Sequence, residues 1–142
     1  MTQSGPSINQ TGSQMIRAQY YFRQSNQGLL AWDIRRLVDL ACNLPIEQVM
    51  LADIAELDET HWYQHEGDAP TCRSLLEHMQ LIDEVDLSYP IILDRHGRVM
   101  DGMHRVCRAV REGKDSVLAV RFIKNPEPDF VGCETDELPY GD

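Results

Sequence analysis

The segment Tyr89–Gly113, YPIILDRHGRVMDGMHRVCRAVREG, constrains the fold of this chain more than any other. Two short apolar runs, Pro90–Asp94 and Arg98–Asp101, flank the tetrapeptide Asp94-Arg95-His96-Gly97. Asp and Gly supply the local hydrogen bond and the backbone freedom of a tight turn, so the runs read as paired strands. The second run enters Asp101-Gly102-Met103-His104-Arg105, after which Met103, Val106, Cys107 and Val110 recur at i, i+3, i+4 and i+7. That spacing marks one face of a helix. The pattern predicts a helix over Gly102–Glu112, with Asp101 as N-cap and Gly113 just past the end.

His104 and Arg105 then fall in the first turn, where the helix dipole disfavours cations by up to ~1 kcal/mol. A docked anion would reverse that penalty. Gly102 lets a ligand approach the backbone, and the unpaired N–H groups of a helix start attract phosphate or carboxylate. The segment therefore reads as a phosphate-binding strand–Gly–helix element. The competing reading is two solvated cations, or a pairing with acids such as Glu112. Asp101 has two compatible duties open to it, capping the helix or holding a metal or substrate group beside the phosphates.

Ile91–Ala109, centred on Asp101-Gly102-Met103-His104-Arg105, resembles the signature of the ParB/sulfiredoxin superfamily. ParB proteins carry a Gly-Glu-Arg-Arg type motif, sulfiredoxins Gly-Cys-His-Arg, and free-serine kinases of the same fold Asp-Gly-x-His-Arg. The last is the nearest match. The likeness covers about Val49 to Lys124 and implies that Gly102, Met103, His104 and Arg105 line a nucleotide phosphate site, with Asp101 beside them. It implies ATP or ADP, with CTP as a further candidate, and Mg²⁺. In sulfiredoxin-like proteins a Lys and a Ser at the start of the preceding helix also face the nucleotide; Arg73 and Ser74 hold comparable places here. In the serine kinases a Glu after the first strand is the catalytic base, a role that falls to Glu59 first and Glu56 second. The implied activity is phosphoryl transfer to a small hydroxyl-bearing acceptor, or nucleotide hydrolysis. The implied alternative is a non-catalytic nucleotide-sensing module for a protein partner.

Met103 stands where sulfiredoxins have their nucleophilic Cys, and a thioether cannot attack a sulfinyl phosphate, so sulfinic-acid reductase activity is not expected. ParB proteins continue into a helix-turn-helix region, whereas Asn125–Asp142 is rich in Pro and acid. With 13 Lys and Arg against 23 Asp and Glu, the net charge is −10. No basic stripe is present, which argues against DNA as a partner and against a nuclease role. The acidic tail is a candidate surface for a protein partner.

The 142 residues suffice for one domain with a sizeable core. No apolar run reaches the length of a membrane span, and no signal-peptide pattern opens the chain. Cys42, Cys72, Cys107 and Cys133 lie far apart, which suits reduced thiols in a cytoplasm. The expected organisation is a mobile N-terminal segment over 1–28, a ParB/sulfiredoxin-like α+β domain over 29–124, and an acidic tail over 125–142. Within it, Leu30, Ile34, Leu37, Val38 and Ala41 predict an added helix over Leu29–Leu44, ended by Pro45. The stretch Ile46–Ile54 is ambiguous between helix and strand; the resemblance decides for a strand around Val49–Ile54. The sheet would comprise Val49–Ile54, Pro90–Asp94, Arg98–Asp101 and Val117–Ile123.

A second helix is predicted over Thr71–Val85, capped by Thr71 or Asp68, with Cys72, Leu75, Leu76, Met79 and Ile82 as its buried stripe. The loop before it, Glu56–Pro70, gathers Asp58, Glu59, His61, Trp62, Tyr63, His65, Glu66 and Asp68. Loops of this length often bind or cover ligands. His61, His65 and Cys72 fall one short of the four ligands of a structural zinc site, so no metal site is assigned. Trp62 and Tyr63 read as packing or base-stacking residues, His78 as a helix-surface residue and His96 as part of the turn. Walker and Rossmann glycine motifs are absent.

Overall fold

The computed structural model describes residues 20–64 and 69–139 and shows an α+β protein. Residues 1–19 of the segment expected to be mobile, His65, Glu66 and Asp68 of the loop, and residues 140–142 of the acidic tail lie outside these residues. The chain divides into two compact units, Leu44–Lys124 and a second made from the segments on either side of it.

Leu44–Lys124 carries the motif. Its sheet is built from β3 (Glu47–Met50), β4 (Ile91–Leu93), β5 (Val99–Asp101) and β6 (Ser116–Arg121), in the spatial order β3-β6-β4-β5. β6 runs parallel to β4, in register Ile91 with Ala119 and Leu93 with Arg121, and antiparallel to β3. β4 and β5 form the expected hairpin. Its turn is drawn in by Asp94, fully buried, whose carboxylate accepts the N–H groups of His96 at 2.7 Å and Arg98 at 2.9 Å. Helices α2 (Cys72–Glu84) and α3 (Met103–Arg111) complete the unit, the latter joining β5 to β6.

Packing explains the order. Ile91, Leu93 and Ala119 from the sheet and Met103, Val106 and Ala109 from α3 share one buried cluster, closed by Val49, Leu51 and Ile54. β4, Ile91-Ile92-Leu93, is wholly apolar and buried at every position, the composition of a strand covered on both faces. The expected strand over Val49–Ile54 is corrected: pairing ends at Met50, and Leu51–Asp53 turns as a 3₁₀ helix. The turn lets Leu51 and Ile54, three apart, enter the same core.

α2 departs from expectation more sharply. Its limits are those predicted, with Thr71 Oγ1 accepting the Ser74 N–H at 3.1 Å, but its apolar stripe is not buried. Leu75, Leu76 and Met79 are 46, 64 and 53% exposed, while the buried positions are Ser74 and His78. No α2 residue belongs to the buried core cluster.

The other unit contains β1 (Tyr20–Ser25), β2 (Gly28–Asp33), α1 (Ile34–Ala41) and β7 (Phe130–Val131), in the sheet order β1-β2-β7. Two expectations are corrected here. Residues 20–28, grouped with a mobile segment, form most of a hairpin with a complete antiparallel register. The helix expected from Leu29 starts only at Ile34, because Leu29–Asp33 pairs with β1 and β7. Asp33 ends the strand by capping α1, accepting the Arg35 N–H at 2.8 Å. The acidic segment is tied to this hairpin: Trp32 Nε1 donates to Pro126 O at 2.8 Å, and Leu138 packs with Tyr20 and Ala31.

Candidate functional site

α3 begins where the sequence motif predicts, with one change of role. Asp101 is the last residue of β5, and the N-cap is Gly102, left-handed at φ 103°. A β-carbon there would lie 2.7 Å from Ile91 Cγ2 and 2.8 Å from an Arg105 nitrogen, so only glycine fits. No side chain caps the helix and no acid occupies its first turn. Gly102 O accepts the Arg105 N–H at 2.9 Å and the Asp101 carboxylate bonds the Gly102 N–H, which leaves the Met103 and His104 N–H groups to a ligand or to solvent.

The motif side chains divide in function. Met103 is buried in the core, so its side chain is a packing group and only its backbone faces the helix start. Arg105, 17% exposed, gives one terminal nitrogen to Asp101 Oδ2 at 3.1 Å. Its Nε is buried with no partner among the described residues. Burial pushes the Asp101 carboxyl above its ordinary value, despite Arg105.

His104 turns away from solvent. Its Nε2 lies 2.8 Å from His78 Nδ1, and the indole of Trp62 stacks on both rings at centroid distances of 4.6 Å and 4.0 Å. One ring must donate and the other accept, so the pair shares a single bridging proton when neutral. Burial first, and then the His61 charge, holds His78 down at about 4. Burial followed by His78, His61 and Arg105 holds His104 at about 3. Both imidazoles are neutral near pH 7. His78 was read in sequence as a surface residue; its place in α2 four residues after Ser74, on the same face, was the signal that could have found it.

Tyr63 closes the same side, its ring edge against His78 at 5.8 Å and its hydroxyl 2.7 Å from Ser74 Oγ. Of the two α2 residues expected to help, Ser74 is buried in this group, and Arg73 is exposed.

The two candidate bases form a second group around Arg98. Its guanidinium grips Glu59 through two bonds of 3.0 Å and 2.7 Å, and this bonding holds the Glu59 carboxyl below its ordinary value. Glu56 is 2% exposed and accepts the Val99 N–H at 2.7 Å, with Arg98 Nε at 3.3 Å. Both carboxylates are therefore engaged by the protein. Between the groups stands His61, which is held below its ordinary value by burial, against the opposing pull of Glu56.

Among the described residues, no cluster of three metal-ligating side chains occurs, and no helix is long and apolar enough to cross a membrane. The four cysteines are free thiols. An open groove of about 600 Å³, lined in part by Ser88, Lys114 and Ser116, lies at the C-terminal end of α3, away from Gly102. Comparison with protein-family models, curated proteins and solved structures finds no match to this chain.

Proposed function

We propose that the Leu44–Lys124 unit is a nucleotide-binding domain of ParB/sulfiredoxin type that receives phosphate at the start of α3. The observation that carries this reading is the helix start at left-handed Gly102, without a side-chain cap from that residue, set beside an Arg105 whose buried Nε has no partner among the described residues. Backbone N–H groups, the dipole and a guanidinium converge on one spot, which is what a phosphoryl group selects.

The donor set fits ATP, ADP or CTP through their phosphates. Mg²⁺ would travel with them, held by phosphate oxygens and water with few protein ligands, its usual mode. When bound, it would neutralise charge on the phosphates. Phosphoryl transfer to a small hydroxyl-bearing acceptor, or to water, needs a carboxylate base in reach of the nucleophile. Glu59 can serve only if it leaves Arg98, and Glu56 only through its buried Oε1, which has no partner among the described residues while Oε2 holds the Val99 N–H.

That double engagement favours a second reading, a nucleotide-sensing module without turnover that signals to a protein partner. One experiment separates them. Nucleotide binding lost in Arg105→Ala supports the site; single-turnover nucleotide consumption lost in Glu59→Gln supports the enzyme. Binding without consumption supports the sensor, and no binding by the parent protein contradicts both.

A further inference from the structure

We propose that His78 and His104 form a proton-operated latch that holds helix α2 on its unit and releases it on acidification. The inference stands on how little else holds α2. The helix contributes nothing to the buried core cluster, and Leu75, Leu76 and Met79 remain exposed. Its C-terminal end is tied by two arginines of α3. Arg108 donates to Ile82 O at 3.2 Å and Asp83 O at 2.8 Å, and Arg111 pairs with Asp83 at 2.6 Å. Its N-terminal half depends on the His78–His104 hydrogen bond, the indole of Trp62 above it, and the contact between Tyr63 and Ser74.

The charged and titratable groups facing the pair are Arg105 on α3 and His61 on the preceding loop, with Glu56 acting on His61 and Asp101 paired with Arg105. Tyr63 and Ser74 bond to each other beside the pair. No carboxylate bonds to either ring among the described residues, so a proton added to the pair meets cations and burial with no direct counter-charge. Two protonated rings cannot keep the bond at all, since each nitrogen would then be a donor.

Linkage gives the sign. Both imidazoles bind protons less readily in the closed form than in water, where they titrate near 6.5. Opening is therefore favoured as pH falls below about 6.5 and saturates near 4 to 3. Each proton taken up multiplies the opening constant about tenfold per pH unit. Two histidines give up to about a hundredfold per unit, and because α2 opens without the rest of the unit its opening constants exceed those of α3 throughout.

The test is native-state hydrogen exchange on the full chain between pH 7 and 4.5, corrected for intrinsic exchange rates. Opening constants for the Leu75–Gln80 amides should rise between about tenfold and a hundredfold per pH unit, while those of Val106–Val110 in α3 lag behind. In His78→Gln the slope should fall by about tenfold per unit. If that variant fails to fold, imidazole ¹⁵N shifts of the parent protein still decide: both rings should stay neutral down to pH 5 in the closed form. A flat α2 profile, α2 opening constants no larger than those of α3, or free titration of either histidine near 6.5 would overturn the latch.

Discussion

The Glu56 carboxylate accepts the backbone N–H of Val99 at 2.7 Å from a position only 2% exposed. A side chain from the 3₁₀ turn Ala55–Asp58 thus completes the edge of β5, and Arg98 beside it binds both Glu56 and Glu59. Removing the carboxylate strands a buried N–H and half of an ion pair. Glu56→Ala should cost about 2–4 kcal/mol in urea unfolding. Glu59→Gln breaks only an exposed pair and should cost less than Glu56→Ala. A reversed ranking would mean that the Val99 bond does not hold the turn.

Gly102 is the second point of rigid constraint. In Gly102→Ala the new methyl meets Ile91 and Arg105 while the backbone stays left-handed. Loss of at least about 1–2 kcal/mol should follow from the backbone alone. Circular dichroism melting checks it, and an unchanged melting temperature would show that α3 starts in some other geometry.

Stability should weaken on the acid side. His78 and His104 are held down at about 4 and 3, so their contribution is complete above pH 6.5 and drains away as pH falls through the folded values. Asp101, pushed up by burial, acts with the opposite sign: it favours the fold at low pH and loses that contribution as pH rises through its raised value. Two histidines outweigh one carboxyl between pH 6.5 and 4, so unfolding midpoints should decline over that range. The decline should shrink in His78→Gln.

In the other unit, Leu138 is buried against Tyr20 and Ala31. Leu138→Ala should destabilise the hairpin by about 2–3 kcal/mol. Trp32 reports it, because its indole bonds to Pro126 O in the same acidic segment. Unchanged Trp32 fluorescence in a Trp62→Phe background would contradict the docking of that segment.

What was legible in the sequence follows the range of the forces involved. Asp94-Arg95-His96-Gly97, Met103 and Val106 of the α3 stripe and the limits of α2 rest on neighbours within a few residues, and each was readable; Val110 of that stripe is exposed, and Ala109 is buried instead. Leu29–Asp33 has helical spacing but is a strand, because Tyr20–Ser25 and Phe130–Val131 pair with it from both sides. No local pattern reports such partners. The buried face of α2 was misjudged for a related reason: periodicity shows that Leu75, Leu76 and Met79 share a face, yet burial depends on what lies opposite. What lies opposite is the Trp62–His104 stack, which selects His78 instead. Asp101 was assigned the cap because an acid before a helix usually is one; left-handed Gly102 takes the position by geometry.

The most direct measurement is a thermal-shift comparison of the parent protein and Arg105→Ala with ATP, ADP, CTP and GTP, each with and without Mg²⁺. A nucleotide at a hundred times its dissociation constant should add about 2.7 kcal/mol of stability to the parent protein. The account predicts a clear upward shift with at least one nucleotide and its loss in Arg105→Ala. No shift with any nucleotide, or a shift that Arg105→Ala leaves intact, would contradict a phosphate site at the start of α3.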